Sequence, residues 1–146
     1  MHALNLLGEV EDKKWLSFII LSGIGTDKPH ELVKQTVIRA KFCESLAKEL
    51  NLTKEMPNFF LMGLFSMVDA FLDRPVDEIL GELPLDSYVK AALLGKTNRF
   101  RDVLDLVTDY EKANWKPFGE MAEQLKLEEQ KVASLYLDAI EWGHFL

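Results

Sequence analysis

Apolar residues recur at three- and four-residue spacing along most of the chain, and that period predicts helix after helix. From Arg99 to Glu111, Phe100, Val103, Leu104, Val107 and Tyr110 share one face, while Arg101, Asp102, Asp105, Thr108 and Asp109 take the other. Leu32, Val33, Val37, Ala40, Cys43, Leu46, Ala47 and Leu50 form a second such stripe, and Val132, Leu135, Tyr136, Ala139, Ile140 and Trp142 a third. Three amphipathic helices follow. Strands would need period-two alternation rich in β-branched residues, and no such run is present.

One segment breaks the amphipathic rule. Between Phe59 and Leu72 apolar residues cover almost the whole circumference, so this helix is expected at the centre of the bundle. Gly63 inside it costs up to about 1 kcal/mol relative to alanine, which calls for a reason; a neighbouring helix crossing closely there is the simplest. Ser66 and Asp69 are three apart and face the same way. Their plain reading is a hydroxyl bonding back into its own helix and a carboxylate near an exposed edge.

Punctuation places the boundaries. Pro29, Pro75 and Pro117 each precede helical residues and are expected to open helices, where a missing N–H is harmless. Gly8, Gly23, Gly81 and Gly95 follow apolar stretches, as where a helix ends in a left-handed residue. Asp86 and Asn98 suit N-caps, as does Thr53, although Pro57 marks an alternative start. With no linker, repeat or low-complexity tract, residues 1–146 are expected to form a single helical domain.

Composition narrows the function. The 146 residues carry 17 Lys plus Arg against 24 Asp plus Glu, a net charge of −7, and no basic run that would favour nucleic acid or an anionic membrane surface. Apolar residues make up 48% and charged residues 28%, a globular balance. The greasy segment around residues 59–72 is shorter than the roughly 20 residues that span a bilayer. A single cysteine, Cys43, excludes an internal disulfide and suits a reducing cytoplasm.

Catalytic signatures are missing. His2, His30 and His144 are scattered, with no His-Asp dyad and no helical pair, so no metal or other cofactor is expected. Cys43 falls on an apolar stripe, where a thiol is an inert hydrophobe. There is no nucleophile elbow, phosphate-cradling loop or dinucleotide fingerprint. Two residues of the second helix stand out. Glu44 lies at the edge of the apolar stripe and Arg39 at its other edge; Glu44 suits either a shifted carboxylate or a salt bridge to a neighbouring helix. Ile38 and Phe42 lie outside the stripe and need a second cover, from another helix or another molecule.

Several stretches then carry a resemblance. Trp15-Leu16-Ser17, Asp27-Lys28-Pro29-His30-Glu31-Leu32 and Arg39-Ala40-Lys41-Phe42-Cys43-Glu44 are similar to the later part of an HDOD domain. So are Gly63 to Leu72, Leu83-Pro84-Leu85, Ala91 to Gly95 and Tyr136 to Trp142, which resemble the branch found behind EAL domains in bacterial signalling proteins. The resemblance implies an HD-like all-α bundle, a degenerate relative of HD phosphohydrolases. Active relatives hold metals with a His-Asp dyad in the central helix, and Ser66 and Met67 occupy that position here. It therefore implies a regulatory or interaction module rather than an enzyme, whose EAL partner, when intact, is a cyclic di-GMP phosphodiesterase.

His2 to Gly8 resembles a helix from the middle of an HDOD domain, so the family's N-terminal helices are expected to be absent. A fragment of that kind is expected to expose an apolar face and to hide it by self-association. The expected partners are its own EAL domain or another signalling protein, with no nucleic acid and no membrane. A phosphodiesterase or phosphohydrolase with displaced ligands is the alternative. A small-ligand pocket near Ser66 and Asp69 is a third reading. The positions singled out for interaction or structure are Arg39, Glu44, Ser66 and Asp69.

Overall fold

The structure is a computed structural model that describes residues 30–67 and 85–143. Its described elements are α1 (His30–Glu49), a 3₁₀ turn (Thr53–Glu55), α2 (Met56–Phe65), α3 (Ser87–Leu93), α4 (Arg99–Glu111), α5 (Trp115–Gln124) and α6 (Glu129–Gly143). No strand occurs among the described residues, and the architecture is the all-α bundle that the periodicity predicts. No helix among them is long and apolar enough to cross a membrane.

The helix starts follow local chemistry. Asp86 accepts from the Tyr88 backbone N–H at 2.8 Å, and Asn98 accepts from that of Arg101 at 2.9 Å, so both expected caps satisfy a donor that the first helical turn leaves open. Thr53 opens the 3₁₀ turn, and Pro57 lies in the first turn of α2. Pro117 is the third residue of α5 rather than its opener, still within the turn that tolerates it.

Helix ends are less legible. Gly95 adopts φ +98° after α3, as its position suggested, but Asn51, Ala113 and Lys126 end α1, α4 and α5 at φ 63°, 59° and 60°. Each is followed by a bond reaching back five residues, such as Leu52 N–H to Ala47 O at 2.8 Å and Leu127 N–H to Ala122 O at 2.8 Å. The same carbonyl-satisfying turn thus forms without glycine at three ends.

The core is built around two adjoining helices. Every residue of α2 from Phe59 to Phe65 is buried, as a helix apolar all round requires. As described, α2 ends at Phe65, with Ser66 and Met67 in a turn. This is earlier than the expected helix to Leu72, whose last residues lie outside the described set. α1 packs most extensively on α2 and then on α6. It is therefore more enclosed than a one-sided amphipathic helix, with Ile38 and Phe42 buried beneath α6. Phe42 meets Tyr136 at 5.1 Å between ring centroids, and Ile38 abuts Gly143, where an added Cβ would stand 2.8 Å from its Cγ1. The second cover that this pair needed is another helix of the same chain.

Gly63 has the reason its position demanded. A Cβ there would come within 2.8 Å of the Ala40 Cα, 2.9 Å of the Arg39 carbonyl oxygen and 3.0 Å of the Cys43 Sγ. Only a hydrogen lets the α1 and α2 backbones meet this closely. On α4, Leu106 is fully buried with Val103, Leu104 and Val107, one residue beyond the stripe expected from sequence. The segments around His2, Pro75, Gly8, Gly23 and Gly81, His144 and the expected apolar face near the N-terminus lie outside the described residues.

Candidate functional site: an arginine shared by three helices

The site begins on α1, where Gln35 and Arg39 are one turn apart and point the same way. The close crossing at Gly63 then brings the end of α2 against them. Ser66, in the turn after α2, donates its hydroxyl hydrogen to the Gly63 carbonyl at 2.7 Å and accepts from Arg39 Nη1 at 3.1 Å. Its expected back-bond into the helix therefore exists, and its remaining acceptor capacity is used by a guanidinium.

Glu111 completes the site from the last residue of α4. It accepts from Arg39 Nε at 3.1 Å and from Arg39 Nη2, a two-pronged pair, and from Gln35 Nε2 at 3.5 Å. The two side chains are only 14% and 10% exposed, so water screens the pair weakly. A carboxylate at a helix C-terminus opposes the helix dipole. Here the arginine of another helix offsets that cost.

Aromatic rings from α1, α4 and α6 adjoin the pair. Tyr110 and Tyr136 stand 5.1 Å apart, and Tyr110 lies 5.8 Å from Phe42. Burial raises the Tyr136 phenol above its ordinary pKa; the Glu111 carboxylate adds to this, and a hydrogen bond with Gln35 works against it. Burial likewise pushes the Cys43 thiol up to about 12, with the Arg39 charge lowering it and Glu111 raising it. Both groups stay protonated at neutral pH. Cys43 is thus a buried thiol without nucleophilic character.

Glu44 belongs to a different neighbourhood. It is 2% exposed, buried rather than at an edge, and accepts from Lys41 Nζ at 2.9 Å within α1. Lys41 also lies 5.5 Å from the Trp142 ring centre, linking this pair to α6. Met67 takes a hydrogen bond from Thr36 Oγ1 at 3.6 Å through its sulfur. Asp69 lies outside the described residues. Of the four positions singled out, the structure joins Arg39 to Ser66 and places Glu44 apart from them.

Sequence reasoning missed Glu111, Gln35 and the role of Tyr136. A signal for Glu111 was present: it continues the Phe100, Leu104, Val107 face at the next helical step, so a carboxylate sits on an apolar stripe. Chemically, the site holds a fixed cation neutralised by a fixed anion. No group of three or more His, Cys, Asp or Glu suited to a metal ion occurs among the described residues.

Two longer bacterial proteins align with this chain. It is 42% identical over 148 residues, 99% of its length, to the uncharacterized protein YuxH of Bacillus subtilis, of which it covers 36%. It is also 31% identical over 142 residues, 97% of its length, to the cyclic di-GMP phosphodiesterase CdgJ of Vibrio cholerae, of which it covers 33%. The chain therefore spans about a third of the length of the curated relatives it matches. No protein-family profile and no solved structure matches it.

Proposed function

We propose that this chain is a non-catalytic, HDOD-like regulatory or protein-interaction module of a bacterial signalling protein linked to cyclic di-GMP. The alignment of nearly its whole length with a third of CdgJ supports the link. The observation that carries the non-catalytic reading is the Arg39 guanidinium, bonded to Glu111 and to Ser66. Ser66 stands where the resemblance puts half of a metal-holding dyad. The guanidinium there holds both carboxylate oxygens of Glu111, so that carboxylate is already committed and is not available as a ligand to a divalent cation. In this reading the module acts in the cytoplasm by binding its own EAL domain or another signalling protein, and by associating with a second copy.

The alternative is a phosphodiesterase with displaced ligands, and the activity in CdgJ's name is what favours it. Metal analysis of the purified chain, with assays on cyclic di-GMP and a generic phosphodiester, separates the two. The module reading expects no stoichiometric metal and no turnover. Stoichiometric metal with turnover abolished by a chelator would overturn it.

A further inference from the structure

A cleft at the end of α4 opposite Glu111 is lined by Leu52, Glu55, Asp86, Tyr88, Arg99 and Phe100. Its volume of about 540 Å³ lies in the range of roughly 300–1,000 Å³ common for small-molecule sites. Three features of its walls go against local structural preference. Tyr88 leaves 66% of its surface exposed although it is large and aromatic. Arg99 is the first residue of α4, where the helix dipole disfavours a cation. It makes no ion pair among the described residues, although Glu55 and Asp86 line the same cleft.

The chemistry of these groups suits a planar ring with donors and acceptors on its edges. Asp86 uses one oxygen to cap α3 and Glu55 uses one to accept from Asn58 at 2.8 Å, so each keeps a second oxygen for a ligand donor. Phe100 lies against Phe59, 4.4 Å between ring centroids and tilted by 33°, while Tyr88 is exposed and offers a face for stacking. A ligand that suits all of them is planar, with adjacent N–H donors on one edge and adjacent acceptors on another. Guanine has this pattern: N1–H and the 2-amino group face a carboxylate, and O6 and N7 accept from an arginine. Adenine presents an amino donor where guanine has O6, and lacks the N1–H.

We infer that the cleft between the α1–α2 connection and the starts of α3 and α4 binds the guanine base of a nucleotide, with Arg99 and a carboxylate reading its edges and Tyr88 stacking on its face. The inference is independent of the non-catalytic reading, because turnover by the chain would end that reading and leave the cleft assignment standing.

Calorimetric titration of the 146-residue chain with GMP and with AMP tests it. The expected result is saturable GMP binding with AMP at least about fivefold weaker, and a loss of about tenfold in Tyr88→Ala and in Arg99→Ala. Glu55→Gln and Asp86→Asn, made singly, are expected to narrow the GMP preference in at least one case. Both Tyr88 and Arg99 are exposed, so unchanged helical circular dichroism will show that those variants fold. Competition by cyclic di-GMP would name the dinucleotide as the source of the base, and its failure to compete would name the mononucleotide. Equal affinity for GMP and AMP, undiminished binding by Tyr88→Ala, or no saturation below about 5 mM GMP would overturn the inference.

Discussion

Arg39 and Arg99 carry the same guanidinium into opposite surroundings. Arg39 is nearly enclosed, and its Nε, Nη1 and Nη2 are committed to Glu111 and Ser66. Arg99 is exposed at a helix start that disfavours it, beside carboxylates to which it is not bonded. The difference separates two uses of one residue type. A buried arginine whose donors are taken by its own chain holds helices together, and an exposed arginine set against the local dipole is available to something else.

The largest expected effect comes from breaking the enclosed region. Arg39→Ala leaves Glu111 buried without its cation and is expected to destabilise the fold by about 2–4 kcal/mol in urea denaturation, discounted from fully buried pairs for the residual exposure. Combining it with Glu111→Leu should recover part of that loss, and strictly additive losses would show that the two charges do not act as a unit.

Gly63→Ala attacks the same region through its geometry. With backbone atoms 2.8 and 2.9 Å from the new Cβ, α1 and α2 must separate, and a loss of about 1–3 kcal/mol is expected despite alanine's better helix propensity. A variant as stable as the parent would mean that the crossing is not what sets Ser66 beside Arg39.

Alkaline pH probes the enclosure with a smaller effect. The Cys43 thiol ionises near 9.0 when unfolded and only near 12 when folded, so the folded chain keeps its proton longer. Stability from this group is fully present below pH 9 and is lost as pH rises toward 12. Between pH 9 and 10.5 the parent should lose about 1–2 kcal/mol more than Cys43→Ala does, measured by denaturation at each pH. Parallel pH curves for the two would contradict the burial of the thiol.

Arg99→Ala should change stability by less than about 0.5 kcal/mol, since it removes no ion pair among the described residues and relieves a dipole conflict. A loss above about 1 kcal/mol would place Arg99 in the structure's own framework and erase the contrast with Arg39.

Much of this molecule was legible along the chain. The stripes of α1, α4 and α6, the capping roles of Asp86 and Asn98, and the close approach at Gly63 all follow from spacing and side-chain chemistry, which act over a few residues. The site was half legible: Arg39 and Ser66 were singled out, but nothing local joins them, and Glu111 lies 72 residues from Arg39 in sequence. Glu44 was read as an edge carboxylate because a helical wheel shows one stripe, whereas α6 covers a second side of α1.

By itself the sequence determined the class of structure, because the 3.6-residue period of apolar positions needs no knowledge of neighbours. It also determined the starts of α3 and α4, which depend on one side chain, Asp86 or Asn98, and the next backbone donors. Helix ends at Ala113 and Lys126 were decided by the chain's return path, which can hold a non-glycine residue in the left-handed region. Lys41–Glu44 and Arg101–Asp105 pair within one helix at three- and four-residue spacing, but tertiary structure alone decided the pairing of Arg39 with Glu111. Charges attract over distances that the fold sets and sequence separation does not, so Arg39 is neutralised by a distant helix while Arg99, with carboxylates nearby, is left open.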